Sequence, residues 1–407
     1  MNESAHIAAT SSQVAKSGRP SPTYANLLWF VLPLLALIVA AAWLTRSDWL
    51  KAFDTGAPPV EKLTFERTIL DGDGIHLKVR AGGSEAVSIA QVQINEAYWT
   101  FTQDPPGPLD NLSSAWLHVP YPWVLGDKHG IKILSRTGVA FKKEIDVAVP
   151  TPKPQVNNLI PQALLGAFVG IVPVVIGMLF YPAMRGMGRA GINFVLALTV
   201  GLMAFLFIGS LKEALELATK AAAAFQGIAM VLIVAAATFL VLLVTGRSRG
   251  TPTGAALATY IALGIGLHNL GEGLAIGAAF AAGVAGLGAF LVLGFTLHNV
   301  TEGIGIVAPL LKQRPSLVTF AGLALLAGAP AILGVWLGSV SYSPQWSALA
   351  LAIGAGAILQ VVVEVGAYLI RNTDRSQSGT GWLSPSTLGG FIIGVAVMYV
   401  TGMLVKI

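Results

Sequence analysis

Residues 263–277 read LGIGLHNLGEGLAIG, and residues 293–307 read LGFTLHNVTEGIGIV. The two stretches form an internal repeat with an offset of thirty residues, and both contain the pattern H-N-x-x-E-G within apolar sequence. A histidine and a glutamate at positions i and i+4 project from the same face of a helix. The repeat therefore predicts two helices that each present one imidazole and one carboxylate.

The composition around the repeat is that of a membrane protein. Of 407 residues, 54% are hydrophobic and only 11% are charged, and the mean hydropathy is +0.71. Since an ordinary soluble domain has roughly 25% charged residues, a soluble enzyme is excluded. The net charge of +5 comes from basic residues in short loops, which is typical of topology signals rather than of a nucleic-acid surface, so no nucleic-acid partner is expected. The chain contains no cysteine, which excludes thiolate metal sites and cysteine catalysis.

Eight apolar runs follow residue 157, and each is long enough to cross a bilayer as a helix. Together they predict an all-α polytopic membrane bundle over residues 157–407. The loops after the first, third, fifth and seventh runs each hold two basic residues, so the positive-inside rule places the C-terminus outside the cytoplasm. The runs cover residues 159–182, 191–211, 222–245, 253–280, 285–311, 316–340, 346–370 and 384–405.

The first part of the chain divides into three segments. Residues 1–23 are rich in Ser and Ala without an apolar period, which predicts a disordered cytoplasmic tail. Residues 24–44 are uncharged and apolar, which predicts a transmembrane anchor, with a cleaved signal peptide as the alternative. Residues 45–156 contain turn signals and short alternating runs, which predict an extracytoplasmic β-sandwich-like domain.

Three histidines of this predicted domain, His76, His118 and His129, are scattered along the sequence rather than spaced as metal ligands. Surface or hydrogen-bonded histidines are therefore favoured over a metal-capture site. The sequence does not indicate what the domain binds.

The histidines and glutamates of the repeat are candidate metal ligands. An ionisable side chain near mid-bilayer costs at least ~2.5 to 3.5 kcal/mol, so it persists where it has a partner and a function. His268 and His298 lie about fifteen and thirteen residues into antiparallel helices, which places both near the midplane. Together with Glu272 and Glu302 they offer two nitrogen and two oxygen ligands, which suit Zn(II), Fe(II) or Mn(II) rather than Cu(I). A hydrogen-bonded cluster that only fixes helix packing is the alternative.

The asparagine of each motif is a further candidate. Asn269 and Asn299 lie one position round the helix from the histidines, where an amide oxygen could bind a second cation or orient a ligand. The many glycines around them allow close helix packing or a broken transport helix, and the sequence does not decide between these.

Three other acidic residues in the helical region, residues 157–407, have less defined roles. Glu364, with Gln360 one turn earlier, either lines the site or makes a packing hydrogen bond. Glu213 and Glu216 fit a solvated helix end better than a funnel for cations.

At this point the chain resembles the ZIP family of zinc and iron transporters, in its bacterial branch. The resemblance rests on HNLGEG and HNVTEG in adjacent helices, on eight helices with outside termini and on an acidic seventh helix, AGAILQVVVEVG. It covers about residues 159–407 and implies a dinuclear midplane site in a bacterial inner (plasma) membrane. The implied ligands of the primary metal are His268, Glu272, His298 and Glu302. At a secondary metal the implied ligands are Asn269, Asn299 and the shared Glu302.

The chain also departs from the family pattern. Gly271 and Thr301 stand inside the motifs where many relatives have other residues, including proline, so the local kink differs. Many relatives have a glutamate in the sixth helix, where this chain reads AGAPAILG, which leaves the second metal open. The usual histidine-rich loop between the third and fourth helices is reduced to GRSRGTP.

The expected function is a transporter that moves a divalent transition metal into the cytoplasm by alternating access. Zn(II) is the first candidate substrate, with Fe(II), Mn(II) or Cd(II) as others, and no organic cofactor or enzymatic activity is expected. Membrane lipid is an expected partner, and a homodimer is left open. The alternatives are a metal sensor or receptor and an intramembrane metallohydrolase, whose H-E-x-x-H signature is not matched because asparagine follows each histidine.

Overall fold

The computed structural model of the protein describes residues 24–46, 60–151, 159–222, 225–248, 250–281, 285–340, 343–374 and 384–405. The predicted disordered tail, residues 1–23, lies outside the described residues. The chain divides into two units, Met1–Pro58 and Pro59–Ile407. In the first unit, α1 is a helix of 23 residues, Tyr24–Arg46. At 1.5 Å per residue it is about 34 Å long, the length that the predicted anchor requires.

The second unit begins with a β-rich region, here called the β-domain (residues 60–151). Its strands form two antiparallel four-stranded sheets, in the orders β1-β2-β6-β5 and β4-β3-β7-β8. The predicted β-rich region is therefore present. The strands are β1 Leu63–Asp71, β2 Gly74–Ala81, β3 Ile89–Ile94, β4 Ala97–Trp99, β5 Thr102–Asp104, β6 Ser114–Val119, β7 His129–Ser135 and β8 Ala140–Ile145.

The two sheets share one apolar core. Alternation along β2 turns Ile75, Leu77 and Val79 inward, and alternation along β7 turns Ile131 and Ile133 inward. These side chains belong to one buried cluster drawn from both sheets. The intervening positions of β2 remain on the outer face of the first sheet, because successive side chains of a strand point to opposite sides.

The rest of the second unit is helical, and eight of its segments are long and apolar enough to cross a membrane. The chain is therefore a membrane protein, as its composition predicts. Two of the spans contain two helices each, namely α2 with α3 and α8 with α9. The helices are α2 Leu159–Met178, α3 Tyr181–Arg185, α4 Arg189–Lys220, α5 Gly227–Arg247, α6 Gly254–Ala281, α7 Ala285–Val307, α8 Leu317–Gly328, α9 Pro330–Val340, α10 Pro344–Asp374 and α11 Pro385–Val405.

The second and sixth apolar runs differ from the helices that form at these positions. The second run is expected to end near residue 211, but α4 continues to Lys220 and includes the polar stretch LKEALELATK. The sixth run is interrupted: α8 ends at Gly328 and α9 begins at Pro330. A proline inside a helix lacks the N–H that would bond to the carbonyl four residues earlier, so it breaks the hydrogen-bond ladder at this point.

The helices pack in two groups. The first, here called the motif bundle, consists of α2, α6, α7, α8 and α9, and the second, the flanking bundle, of α4, α5, α10 and α11. Glycines allow backbones to touch within each group, since Gly273 of α6 lies against the Ala331 carbonyl of α9 and Gly390 of α11 lies against the Phe194 carbonyl of α4. Such contacts bring helix axes close together. The two groups meet along a seam between α6 and α10.

The β-domain lies against one end of both bundles. Gln345 Nε2, at the start of α10, donates a hydrogen bond of 2.8 Å to Glu66, and Arg67 donates one of 3.2 Å to the Val340 carbonyl at the end of α9. The guanidinium of Arg80 lies 5.9 Å from the centre of the Phe225 ring, just before α5. In the predicted topology this is the extracytoplasmic end of the bundle.

The close contact between α6 and α9 gives a stability prediction. A methyl group on Gly273 would overlap the Ala331 carbonyl oxygen, whereas one on Gly366, inside α10, would meet no described atom within 4 Å. We expect Gly273→Ala to destabilise the protein by about 1–3 kcal/mol through overpacking. Gly366→Ala, the matched control, should be neutral or stabilising by up to ~1 kcal/mol, because alanine is the better helix former. Thermal unfolding in detergent measures both, and equal midpoints would contradict the packing described.

Candidate metal centre

Each motif lies inside a membrane-length helix. His268 and Glu272 lie one turn apart on α6, and His298 and Glu302 lie one turn apart on α7. The spacing places His268 Nε2 only 3.0 Å from Glu272 Oε1, as expected for residues at i and i+4. Because α6 packs against α7, the side chains of the second motif can approach those of the first.

The two helices bring three of the four predicted primary ligands together. Glu272 Oε1 lies 3.0 Å from His268 Nε2 and 2.7 Å from His298 Nε2. One donor atom of each residue lies within 4.8 Å of the other two, and all three side chains are buried. Within the described part of the chain this is the one group of three or more such residues that could hold a metal ion. Nitrogen and carboxylate donors at this spacing suit one ion at about 2.0–2.2 Å from each ligand.

Glu302 lies beside this group rather than within it. Its side chain is fully buried, and it interacts electrostatically with His268, Glu272 and His298. The side chain of Asn269 also interacts with this carboxylate, but neither carboxylate oxygen accepts a hydrogen bond of normal distance and angle from a described residue. A change of rotamer that turned this carboxylate toward the other three would complete the predicted set of two nitrogens and two oxygens.

The side-chain amide of Asn299 donates a hydrogen bond to a backbone carbonyl of the neighbouring helix α2. Its Nδ2 donates a hydrogen bond of 3.0 Å to the Val169 carbonyl of α2. The residue four positions after Val169 is Pro173, which has no N–H, so this carbonyl lacks its usual helical donor. The asparagine of the second motif supplies the missing donor.

Asn269 also bonds to the backbone of a neighbouring helix. Its Nδ2 donates a hydrogen bond of 3.0 Å to the Ala327 carbonyl of α8, three residues before Pro330. The amide oxygens of Asn269 and Asn299 are both buried and have no hydrogen-bond partner among the described residues. Since each amide nitrogen is engaged with backbone, the orientation of each amide is set and its oxygen remains available as an acceptor.

The last residue of each motif is a glycine that lies against a neighbouring helix. Gly273 lies against the Ala331 carbonyl of α9, and Gly303 lies against the Val174 carbonyl of α2. Close packing therefore accounts for these two glycines. In H-N-x-x-E-G, the histidine and glutamate provide ligand atoms, the asparagine donates a hydrogen bond to a backbone carbonyl of a neighbouring helix, and the glycine allows close packing against the same span.

The flanking bundle contributes a contact that the sequence analysis missed. Ser210 of α4 is buried, and its Oγ lies 3.4 Å from His268 Nδ1. Gly354 of α10 also lies close to the backbone of His268. The one signal for Ser210 in the sequence is a small polar residue in an apolar helix, which is too common to indicate a site.

Glu364 makes an ion pair away from the histidines. Its Oε1 accepts a hydrogen bond of 2.7 Å from Arg247 Nε, at the end of α5, and the carboxylate is fully buried. It lies ten residues beyond Gly354 on α10, which corresponds to about 15 Å along the helix. Of the two roles that the sequence leaves open, the contacts support a packing role over a lining role.

The two glutamates near the end of α4 have different surroundings. Glu216 pairs with Lys212 at 3.6 Å, and both side chains are more than half exposed. Glu213, one turn beyond Ser210, interacts electrostatically with His268 and Glu272.

The structure shows one contact of the β-domain that the sequence analysis missed. His76 of β2 and His118 of β6 are directly opposite each other in the sheet, with their Nδ1 atoms 2.7 Å apart. Spacing along the chain does not report which distant strands pair, so the sequence did not indicate this contact. His129 instead contacts the amide of Asn95 at 3.2 Å, so the expectation of hydrogen-bonded histidines is confirmed.

Comparison of the chain with protein-family models and with curated protein sequences finds no match.

The role of Asn299 can be tested by a double-mutant cycle with Pro173. Asn299→Ala should destabilise the protein by about 1–3 kcal/mol, because it leaves the Val169 carbonyl buried without a donor. In a Pro173→Ala background the new N–H can bond to that carbonyl, so the same substitution should cost at least about 0.5 kcal/mol less. Unfolding of the four proteins in detergent measures this coupling, and strictly additive effects would contradict the assigned role.

Proposed function

We propose that the chain is a membrane transporter related to the ZIP family, which moves divalent transition metal ions into the cytoplasm with Zn(II) as its first substrate. The observation that carries this proposal is the buried His268–Glu272–His298 group, in which one donor atom of each residue lies within 4.8 Å of the other two. The two motifs also contain buried oxygen acceptors that have no hydrogen-bond donor among the described residues. These acceptors are Glu272 Oε2, both carboxylate oxygens of Glu302, Asn269 Oδ1 and Asn299 Oδ1.

A buried acceptor without a donor is unfavourable by about 1–3 kcal/mol, and by more when it is charged. A cation satisfies several acceptors at once without bringing acceptors of its own, so it is the ligand that such a group favours. The imidazoles of His268 and His298 then favour a borderline transition metal over magnesium or calcium, which prefer oxygen ligands alone. This supports Zn(II), Fe(II) or Mn(II) as the substrate class.

The position of the centre supports transport. His268 lies near the middle of α6, and it contacts Ser210 and Gly354 of the flanking bundle. The donor residues all belong to the motif bundle, and the flanking bundle covers one side of them. A shift of one bundle against the other would therefore open the centre to one side of the membrane at a time, as alternating access requires.

The internal hydrogen bond of the cluster keeps metal binding reversible. Glu272 Oε1 is hydrogen-bonded to His298 Nε2 at 2.7 Å. A metal ion must replace this interaction to bind, and the interaction can form again when the ion leaves. The affinity is lowered by the free energy of that bond, which a carrier needs in order to release its substrate.

The orientation follows from the basic loops. With the basic loops in the cytoplasm, the β-domain and the C-terminus are extracytoplasmic and the N-terminal tail is cytoplasmic. The plasma membrane, which is the inner membrane in a bacterium, is the proposed location.

Removal of the two motif carboxylates tests the proposal directly. In reconstituted vesicles, Glu272→Ala combined with Glu302→Ala should lower zinc flux on the order of 100-fold, because the metal loses both charged ligands. Glu216→Ala is the matched control, since this glutamate is 61% exposed and pairs only with Lys212 among the described residues. Unchanged flux in the double variant would refute transport through this centre, and saturable zinc binding without accumulation would favour the receptor alternative.

Acid should inhibit transport. Histidine and glutamate must be deprotonated to bind a metal, so protons compete with the ion, and uptake should fall as the pH decreases. Initial rates of zinc uptake at constant free zinc between pH 7.5 and 5.5 measure this dependence. A rate that does not change over this range would contradict histidine ligation.

A further inference from the structure

The β-domain contains a second pair of facing imidazoles. His76 and His118 lie opposite each other on β2 and β6, and their Nδ1 atoms are 2.7 Å apart. The two rings meet edge to face, with their centres 4.8 Å apart. Both nitrogens are thus aimed at one point between two strands of the same sheet.

The carboxylate of Asp71 determines which nitrogen of His76 bears the hydrogen. Asp71 Oδ1 lies 2.9 Å from His76 Nε2 and also accepts a hydrogen bond of 2.9 Å from the Asp73 N–H in the β1–β2 turn. An ionised carboxylate can only accept hydrogen bonds, so Nε2 of His76 is the donor. In the neutral ring Nδ1 then has a free lone pair, and this lone pair points toward His118.

A carboxylate that accepts from the far nitrogen of a histidine is the usual support of a metal-bound imidazole. It fixes the tautomer and the ring orientation and makes the ligating nitrogen more basic. His118 is held on its other side by Trp116, whose ring is stacked at 6.3 Å with an interplanar angle of 19°. Both rings are therefore oriented before any ion arrives.

The two imidazole rings need to move apart only slightly to bind a metal ion between them. Two nitrogens bound tetrahedrally at 2.0–2.1 Å lie about 3.3 Å apart, so the rings must separate by about 0.6 Å from the 2.7 Å observed. His118 must also change tautomer, with its hydrogen moving from Nδ1 to Nε2, so that the Nδ1 lone pair can bind the ion. The side chains of His76 and Asp71 are 15% and 18% exposed, which leaves access for water to complete the coordination.

We propose that His76 and His118, supported by Asp71, form a second metal site that takes a borderline divalent cation such as Zn(II), Cu(II) or Ni(II). Two imidazole nitrogens and water are its ligands, which is a set that these metals accept. Since it has fewer protein ligands than the centre in the bundle, it binds more weakly. The site includes no residue of the bundle and does not depend on the proposed transport function.

The location of the site suggests what it does. Trp116, which stacks on His118, also lines a cavity of about 130 Å³ between the first sheet and the bundle, together with Val340 and Gln345. His118 and Trp116 are two residues apart on β6, so they lie on the same face of the sheet. An ion held by the histidine pair is therefore on the face of the β-domain that meets the bundle, where it raises the local concentration of the cation.

Zinc titration of the full-length protein in detergent tests the proposal, in a His268→Ala/His298→Ala background that removes the imidazoles of the bundle. We expect one zinc ion per chain. His118→Ala should weaken binding at least about tenfold, and Asp71→Asn should weaken it about tenfold through loss of the supporting charge. His129→Gln is the matched control, because His129 contacts Asn95 instead, and it should bind as the background does.

Electron paramagnetic resonance of bound Cu(II) gives an independent readout. The background protein should show coupling to two imidazole nitrogens, and His118→Ala should reduce this number. If His118→Ala disturbs folding, His118→Gln retains a hydrogen-bond donor and should lose the metal equally. Absence of zinc binding in the background, or binding that is indifferent to both changes at His118, would overturn the proposal. The outcome of these binding experiments does not affect the zinc-flux experiment, because that experiment uses protein with intact His268 and His298.

Discussion

The bundle depends on one constraint: inside a bilayer there is no water, so each buried polar group must find its partner within the chain. The contact of Asn299 with Val169 shows how the chain meets this constraint. Pro173 leaves a carbonyl without a donor, and an asparagine from another helix supplies one. Asn269 donates a hydrogen bond to the Ala327 carbonyl, near the break at Pro330. In both motifs the asparagine therefore connects its own helix to the backbone of a neighbouring one.

The same constraint identifies the metal centre. After the amide nitrogens are engaged, the motifs still contain carboxylate and amide oxygens with no donor among the described residues. The same two helices form the His268–Glu272–His298 group, in which one carboxylate oxygen contacts both imidazoles. Elsewhere in the bundle, Glu364 Oε1 pairs with Arg247, while its Oε2 has no hydrogen-bond partner among the described residues. An ion pair with an arginine therefore distinguishes Glu364 from Glu302, neither of whose oxygens accepts a hydrogen bond from a described residue.

Local patterns in the sequence predict the helices and the face that each motif presents. His268 and Glu272 are four residues apart, so helical geometry alone places them together. The contact between His298 and Glu272 depends on the packing of α6 against α7, which the repeat suggests but does not determine. Contacts of Ser210 with His268, of Arg247 with Glu364 and of His76 with His118 join residues far apart in sequence. No periodicity reports such contacts, because they arise from tertiary packing and from the pairing of strands that are not consecutive.

The most direct test of the central claim is an anomalous difference map, recorded at the zinc absorption edge from crystals grown with zinc. The account predicts a peak about 2.0–2.2 Å from one donor atom each of His268, Glu272 and His298, with the carboxylate of Glu302 turned toward it. A map without a peak at this position, in which His298 Nε2 remains hydrogen-bonded to Glu272, would contradict the account.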